Sequence, residues 1–259
     1  MKIAITGKGG VGKTTLSAVL ARLYAKENRK VIAVDADPDA NLSQALGLKE
    51  ENIASIKPLA EMADLIEERT GAKPGSSGGI FKLNPKVDDI PESIGYKFDG
   101  ITILMMGKPK GANSGCYCPE NVLLKRLLKH LFTERKDVII VDMEAGIEHM
   151  TRGTAEGVDA FIVVVEPGKR SIQTAFAVKD MAKGMGVDKV FVVINKARSE
   201  LDIEFVKGEL KDLDVLGVIG YHQSIVDADM AGNSPFLVST EAVYEITKIK
   251  ERLDALNVL

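Results

Sequence analysis

The chain has 259 residues, 45% hydrophobic and 27% charged, with 24 Gly, 9 Pro, two Cys and no Trp. These are globular proportions, and they exclude a disordered, collagenous or disulfide-stapled chain. Lys plus Arg number 34 against 37 Asp plus Glu, a formal charge of −3, so bulk electrostatics attract it neither to nucleic acid nor to an anionic membrane.

The longest apolar run, Ala160 to Val165, falls far short of the ~20 residues of a bilayer span, and the N-terminus has no signal-peptide core. The expectation is a soluble, cytoplasmic protein with no nucleic-acid or membrane partner and with both thiols reduced. Val- and Ile-rich runs near 2–6, 31–35, 101–106, 137–142, 159–165, 189–194 and 215–219 alternate with longer stretches of helical period, the pattern of repeated βα units. The runs are apolar throughout rather than alternating. They therefore predict an α/β fold with a mostly parallel sheet of seven or eight strands, helices on both faces and ligands at the strands' C-terminal ends. A single domain over 1–259 is expected.

The first run leads into Gly7-Lys8-Gly9-Gly10-Val11-Gly12-Lys13-Thr14-Thr15, which satisfies G-x-x-x-x-G-K-[ST] between strand and helix. Its glycines let the backbone curl so that N–H groups point at phosphate oxygens, and the helix N-terminus adds its dipole. Gly9, Gly10, Val11, Gly12, Lys13, Thr14 and Thr15 form the expected ATP cradle, with Lys13 on the β and γ phosphates and the Thr14 hydroxyl on Mg²⁺. The second run ends in Asp35, followed by Asp37 and Asp39. Anions beside phosphate require Mg²⁺ or an attacking water between them, although Asp35 and Asp39 also read as ordinary turn and cap formers.

From Glu51 to Gly115 the rhythm breaks. A helix-like stretch, Pro58 to Thr70, precedes a Gly- and Pro-rich segment beginning at Gly71. An elaborated loop region over about 51–115 follows from this, either a partner- or dimer-facing surface or an ordered surface insertion. The run 137–142 ends in Asp142, an acid suited to the Mg²⁺ hydration shell, before Met143-Glu144-Ala145-Gly146. The run 189–194 leads to Asn195-Lys196-Ala197-Arg198. There an Asn amide can pair with a purine edge, and Arg198, unable to accept from guanine, favours ATP over GTP.

Lys8 makes the loop the deviant form K-G-G-x-G-K-T-T. At these residues the chain resembles the family of the nitrogenase iron protein, the MinD and ParA positioning ATPases and the metal-cofactor maturation ATPases. The resemblance implies a P-loop NTPase fold, ATP hydrolysis and a nucleotide-dependent homodimer in which Lys8 reaches the nucleotide of the second subunit. It also implies that Asp37, before Pro38, positions the hydrolytic water, that Asp142 to Gly146 form switch II, and that Gly220 to Gln223 and Asp227 to Pro235 flank the base. Lys8, Lys13 and Asp37 are the catalytic candidates, with Asp142, Asn195 and Lys196 joining the P-loop in binding nucleotide.

Cys116-Tyr117-Cys118 precedes a helix expected from about Glu120 to Arg135. A helix N-terminus lowers thiol pKa, which makes Cys116 and Cys118 candidate soft-metal ligands. Two sulfurs are half of a usual zinc or iron–sulfur set, and two chains about a two-fold axis supply four. Packed thiols and a strained local disulfide are the alternatives. With this C-x-C between switch I and switch II, the chain resembles the CooC-type nickel-insertion accessory ATPases of carbon monoxide dehydrogenase. That resemblance implies Ni²⁺ or Zn²⁺ at a dimer-interface site and a nickel-iron-sulfur client. The competing readings are a MinD/ParA-like positioning or partitioning ATPase and an Fe–S cluster carrier of the same fold.

Other features read as structural. His130, His149 and His222 form no spaced motif, and Met105, Met106, Met143, Met150, Met181 and Met185 read as packing. Residues Thr240 to Leu259 carry an apolar stripe, Val243, Ile246, Ile249, Leu253 and Leu256, opposite a face where acids outnumber bases, so the helix is expected to dock on the sheet rather than on lipid. Lys125-Arg126, Lys129-His130 and Arg135-Lys136 read as a basic face of one helix.

Overall fold

Every strand expected from an apolar run forms, and one edge strand forms that no run announces. The computed structural model describes residues 1–76, 80–108, 118–145 and 153–256. Its elements are β1 (Lys2–Thr6), α1 (Lys13–Lys26), β2 (Val31–Asp35), α2 (Leu42–Leu46), α3 (Glu50–Ile53), a 3₁₀ turn (Leu59–Glu61), α4 (Ala63–Thr70), α5 (Ile90–Ser93), β3 (Tyr96–Phe98), β4 (Ile101–Met105) and α6 (Pro119–Thr133). There follow β5 (Val138–Asp142), β6 (Ala160–Val165), α7 (Lys169–Met185), β7 (Val190–Ala197), α8 (Glu200–Glu209), β8 (Asp214–Gly220), α9 (Gln223–Met230), α10 (Pro235–Val238) and α11 (Thr240–Ala255).

The eight strands make one sheet in the order β3-β4-β2-β5-β1-β6-β7-β8. Every pairing is parallel except β3 with β4. The β3–β4 turn is Asp99-Gly100 with φ of 45° and 79°, the doubly left-handed pair that a two-residue hairpin demands. That dipeptide was the available signal, but the short strand Tyr-Lys-Phe carries no apolar run.

Alternate residues of each continuous apolar strand feed opposite faces. Ile3 and Ile5 join a cluster with Leu16, Leu20, Leu42, Leu46, Ile246 and Ile249, beneath α1, α2 and α11. Ala4, Ile139 and Val141 join a second cluster with Leu127, Leu131, Phe132 and Val178, beneath α6 and α7. The region after residue 51 is ordered where described, because Leu59, Ile66, Val87 and Ile90 are buried in this second cluster.

Three structural expectations are refined. Ile246, Ile249 and Leu253 of α11 are buried as predicted, whereas Leu256 is exposed past the helix end. Helix α6 stops at Thr133, so Arg135-Lys136 lie beyond it, and Arg126, Lys129 and Arg135 each carry an acidic partner, Glu134, Glu156 and Glu92. Met105, Met106 and Met143 are core residues, but Met181 is exposed; Met150 and His149 lie outside the described residues.

Arg22 fixes the surroundings of α2. Its Nε and Nη2 donate to the Leu46 carbonyl at 3.0 and 2.6 Å, Nη1 donates to Asp99 Oδ2 at 2.6 Å, and the guanidinium lies 4.8 and 5.7 Å from the ring centroids of Phe98 and Phe236. One buried fork thus ties the end of α2, the β3–β4 hairpin and α10 to α1. Arg22→Ala is expected to cost about 2–4 kcal/mol by orphaning these groups. In thermal unfolding this lowers Tm by roughly 5–15 °C, and Arg22→Lys recovers less than half because an ammonium cannot fork.

Candidate nucleotide-binding site

The C-terminal ends of β1, β2 and β5 are neighbours, and the loops leaving them meet in a cleft of about 530 Å³ that runs from Gly9–Thr15 to Tyr221, His222, Ile225 and Pro235. At its head the P-loop is shaped by glycine. Gly12 has φ of 98°, and a Cβ there would strike the Asn195 amide, so no other residue fits.

Asn195, expected at the base, and Lys196, expected among the nucleotide-binding residues, brace this loop. Asn195 Nδ2 donates to the Val11 carbonyl at 2.6 Å and its Oδ1 accepts from the Lys196 N–H at 2.9 Å. Lys196, in the left-handed region at φ 59°, donates from Nζ to the Gly10 carbonyl at 2.6 Å. Both residues also line the cleft, but both ends of the Asn195 amide are already engaged with main chain.

Lys13, the first residue of α1, is buried, and its Nζ lies 3.5 Å from the Lys8 carbonyl and 3.5 Å from Asp37 Oδ2. Lys8 itself is exposed on the outer edge of the loop. Asp39 donates its N–H to Asp37 Oδ1 at 3.0 Å, so the Asp37 carboxylate faces Lys13 across the cleft.

Behind this pair stand two buried acids. Asp35 and Asp142 are register partners on β2 and β5. Burial pushes the Asp142 carboxyl up to about 6 against the pull of the Thr14 hydroxyl and Lys13. Burial first, and then Asp142 itself, pushes Asp35 up to about 7. Asp142 Oδ1 accepts from Ser17 Oγ at 3.3 Å, whereas Oδ2 is buried with no hydrogen-bond partner among the described residues. An orphaned carboxylate oxygen beside Thr14 fits a hydrated Mg²⁺. Ser17 went unnoticed in the sequence, although it lies one turn from Thr14 on the same helical face.

At the far end, Tyr221 is half exposed, with the Arg198 guanidinium 5.0 Å over its ring. His222 Nε2 lies 2.7 Å from Glu245 Oε2 and His130 Nδ1 3.0 Å from Glu134 Oε2, so each described histidine is paired with a glutamate. Cys118 is buried at the N-cap of α6; Cys116 and Gly146 lie outside the described residues. Among the described residues no three His, Cys, Asp or Glu side chains gather as a metal-holding group, and no helix is long and apolar enough to cross a membrane.

A parallel sheet with a strand–loop–helix phosphate cradle, facing acids from two adjoining strands, defines a P-loop nucleotide-binding protein. The chain belongs to the CobQ/CobB/MinD/ParA nucleotide binding domain family (CbiA), whose model matches residues 2–236, and it is a P-loop ATPase. It is 48% identical over 252 residues to an uncharacterized ATP-binding protein of Methanocaldococcus jannaschii, covering 96% of each chain. It is 46% identical over 239 residues to the carbon monoxide dehydrogenase accessory protein CooC of Rhodospirillum rubrum, covering 92% of this chain and 90% of that one. The MinD cell division protein of Aquifex aeolicus shares the fold, with a TM-score of 0.69 at 23% identity over 98% of this chain and 97% of that one.

The Gly12–Asn195 contact is directly testable. Gly12→Ala is expected to weaken ADP binding at least about 100-fold, since it adds backbone strain to the collision. Asn195→Ala, which removes one buried hydrogen bond to the loop, weakens it by roughly 5–30-fold. Isothermal titration with Mg·ADP measures both.

Proposed function

We propose that this chain is an ATP-hydrolysing metallochaperone, an accessory ATPase that binds nickel, or zinc, at a C-x-C site between two subunits and inserts it into a nickel-iron-sulfur client such as carbon monoxide dehydrogenase. The observation that carries this reading is the 46% identity to CooC over 92% of the chain, beside the C-x-C of Cys116 and Cys118 in the sequence. Strand β4 precedes that C-x-C in the chain and pairs with β2, which leads into the loop of Asp37; Asp35 and Met105 are register partners at the ends of those two strands. The Met106 N–H donates to the Asp35 carbonyl at 2.8 Å. Cys118 is buried at the head of α6. The similarity to CooC over nearly the whole chain supports the same client class.

The nucleotide chemistry follows from the side chains. When bound, Mg²⁺ is held by the Thr14 hydroxyl and, through its water shell, by Asp142, and it offsets charge on the β and γ phosphates. Lys13 pairs with Asp37 at 3.5 Å. Phosphate oxygens compete for that ammonium, and once Lys13 turns to them the Asp37 carboxylate is released to accept a proton from the attacking water. Lys8, exposed in one chain, is placed to meet the phosphates of a second, as an arginine finger does in trans. Closing two chains over two nucleotides brings four thiols to one axis, and hydrolysis alters their approach and releases the metal.

The positioning-ATPase reading is weaker, because the apolar side of α11 is consumed by the core. Lys8→Ala is expected to lower ATP hydrolysis at least about 100-fold while ADP affinity changes less than about 3-fold.

The deciding measurement is an anaerobic titration of Ni²⁺ or Zn²⁺ into reduced protein, with and without a non-hydrolysable ATP analogue, recording metal per chain and oligomeric mass. One metal per nucleotide-bound pair of chains, lost in Cys116→Ser/Cys118→Ser with ATP binding retained, is the expected outcome. ATP-driven dimers that take up no metal would sink it in favour of a positioning ATPase. Uptake of an iron–sulfur cluster in place of nickel would favour the carrier.

A further inference from the structure

Asp35 is a fully buried acid with no place in the chemistry above. It is fully buried with both carboxylate oxygens taken up by main-chain N–H groups, and burying a carboxylate is costly unless its hydrogen bonds require it. Those bonds are specific. Oδ2 accepts the Leu42 N–H at 2.9 Å and Oδ1 accepts the Asp37 N–H at 3.3 Å, so one side chain grips both ends of the loop from Asp37 to Leu42.

A cap for α2 alone needs no such acid. Asn41 occupies the N-cap of α2, and its side chain makes no cap hydrogen bond, although Asn is among the best cap formers. The cap has been transferred to a residue at the end of β2, and the same carboxylate also takes the N–H of Asp37. The strand itself is fixed, since the Ala36 N–H donates to the Asp142 carbonyl at 2.9 Å and the Met106 N–H to the Asp35 carbonyl at 2.8 Å. Asp35 is therefore an anchor on the rigid sheet from which the loop hangs. Among the described residues, the outer side of the loop is held by the Asp39 N–H on Asp37 Oδ1 and by Lys13 on Oδ2, and Lys13 is the contact that phosphate removes.

We propose that Asp35 is a positioning residue for ATP hydrolysis, holding the Asp37 carboxylate at the γ-phosphate side of the cleft once Lys13 has turned to the nucleotide. This rests on the role of Asp37 given above. Loss of such a positioning contact lowers turnover without weakening the uniform binding that the P-loop supplies.

The test is a two-residue cycle: Asp35→Ala, Asp35→Asn, Asp37→Ala and the Asp35→Ala/Asp37→Ala double variant, each measured for kcat, KM for ATP, ADP affinity and Tm. Asp35→Ala is expected to lower kcat by roughly 30–100-fold with KM and ADP affinity within about 3-fold. Asp35→Asn keeps the volume and one acceptor oxygen, so it guards against simple misfolding and should fall between Asp35→Ala and wild type. In the Asp37→Ala background, removing Asp35 should cost nothing further, because residues that act through one another are not additive. Folded Asp35 variants with wild-type kcat, losses that multiply with that of Asp37→Ala, or ADP affinity falling in step with kcat would each overturn the inference. A wild-type rate in Asp37→Ala would overturn the Asp37 assignment and this inference with it, a result read from the single variant alone.

Discussion

Two carboxylates buried side by side govern this structure. The strand order sets β2 against β5 in register, so Asp35 and Asp142 face the same dry end of the sheet, where two like charges cannot both persist uncompensated. The compensation is what forms the site. Lys13 enters from α1, Ser17 and Thr14 turn hydroxyls toward Asp142, and backbone N–H groups close on Asp35. One oxygen of Asp142 is left over, and a hydrated divalent cation is the chemistry that satisfies it. A fold that packed apolar residues at these two positions would be cheaper to make and would have no reason to bind Mg²⁺ with nucleotide.

The same economy explains how distant parts of the cleft are joined. Helix α2 follows the loop that Asp35 anchors, and its far end is gripped twice, by Arg22 on the Leu46 carbonyl and by Ser234 Oγ on the Ala45 carbonyl at 2.6 Å. Ser234 stands just before α10, beside the base end of the cleft. A short helix thus has one end on the loop of Asp37 and the other on the segment before α10.

Much of this was legible in the sequence because the chemistry needed unusual residues in a fixed order. Glycines at 7, 9, 10 and 12 with Lys13 and Thr14 have few uses other than phosphate, and strands buried on both faces announce themselves as unbroken apolar runs. What escaped had no such local mark. Asp35 reads as one of three similar acids until burial and partners separate it from Asp37 and Asp39. Asn195 reads as a base contact because its type is right, and its amide also closes on Val11 from 184 positions away, a pairing that no local pattern encodes. Of the anchors of the long insertion, Leu59 and Ile66 lie in the stretch that reads as helix-like, whereas Val87 and Ile90 are isolated apolar residues in a polar stretch, so its sequence leaves a loose surface and an ordered insertion both open.

The cysteine pair shows where local and non-local information must meet. Its spacing states that two thiols are close in the chain, and the one described, Cys118, is buried at the head of α6. A third buried acid, Glu120, stands in the first turn of the same helix, and its carboxylate accepts the Gly75 N–H at 3.2 Å. That bond ties the start of α6 to the insertion rather than leaving it open to solvent.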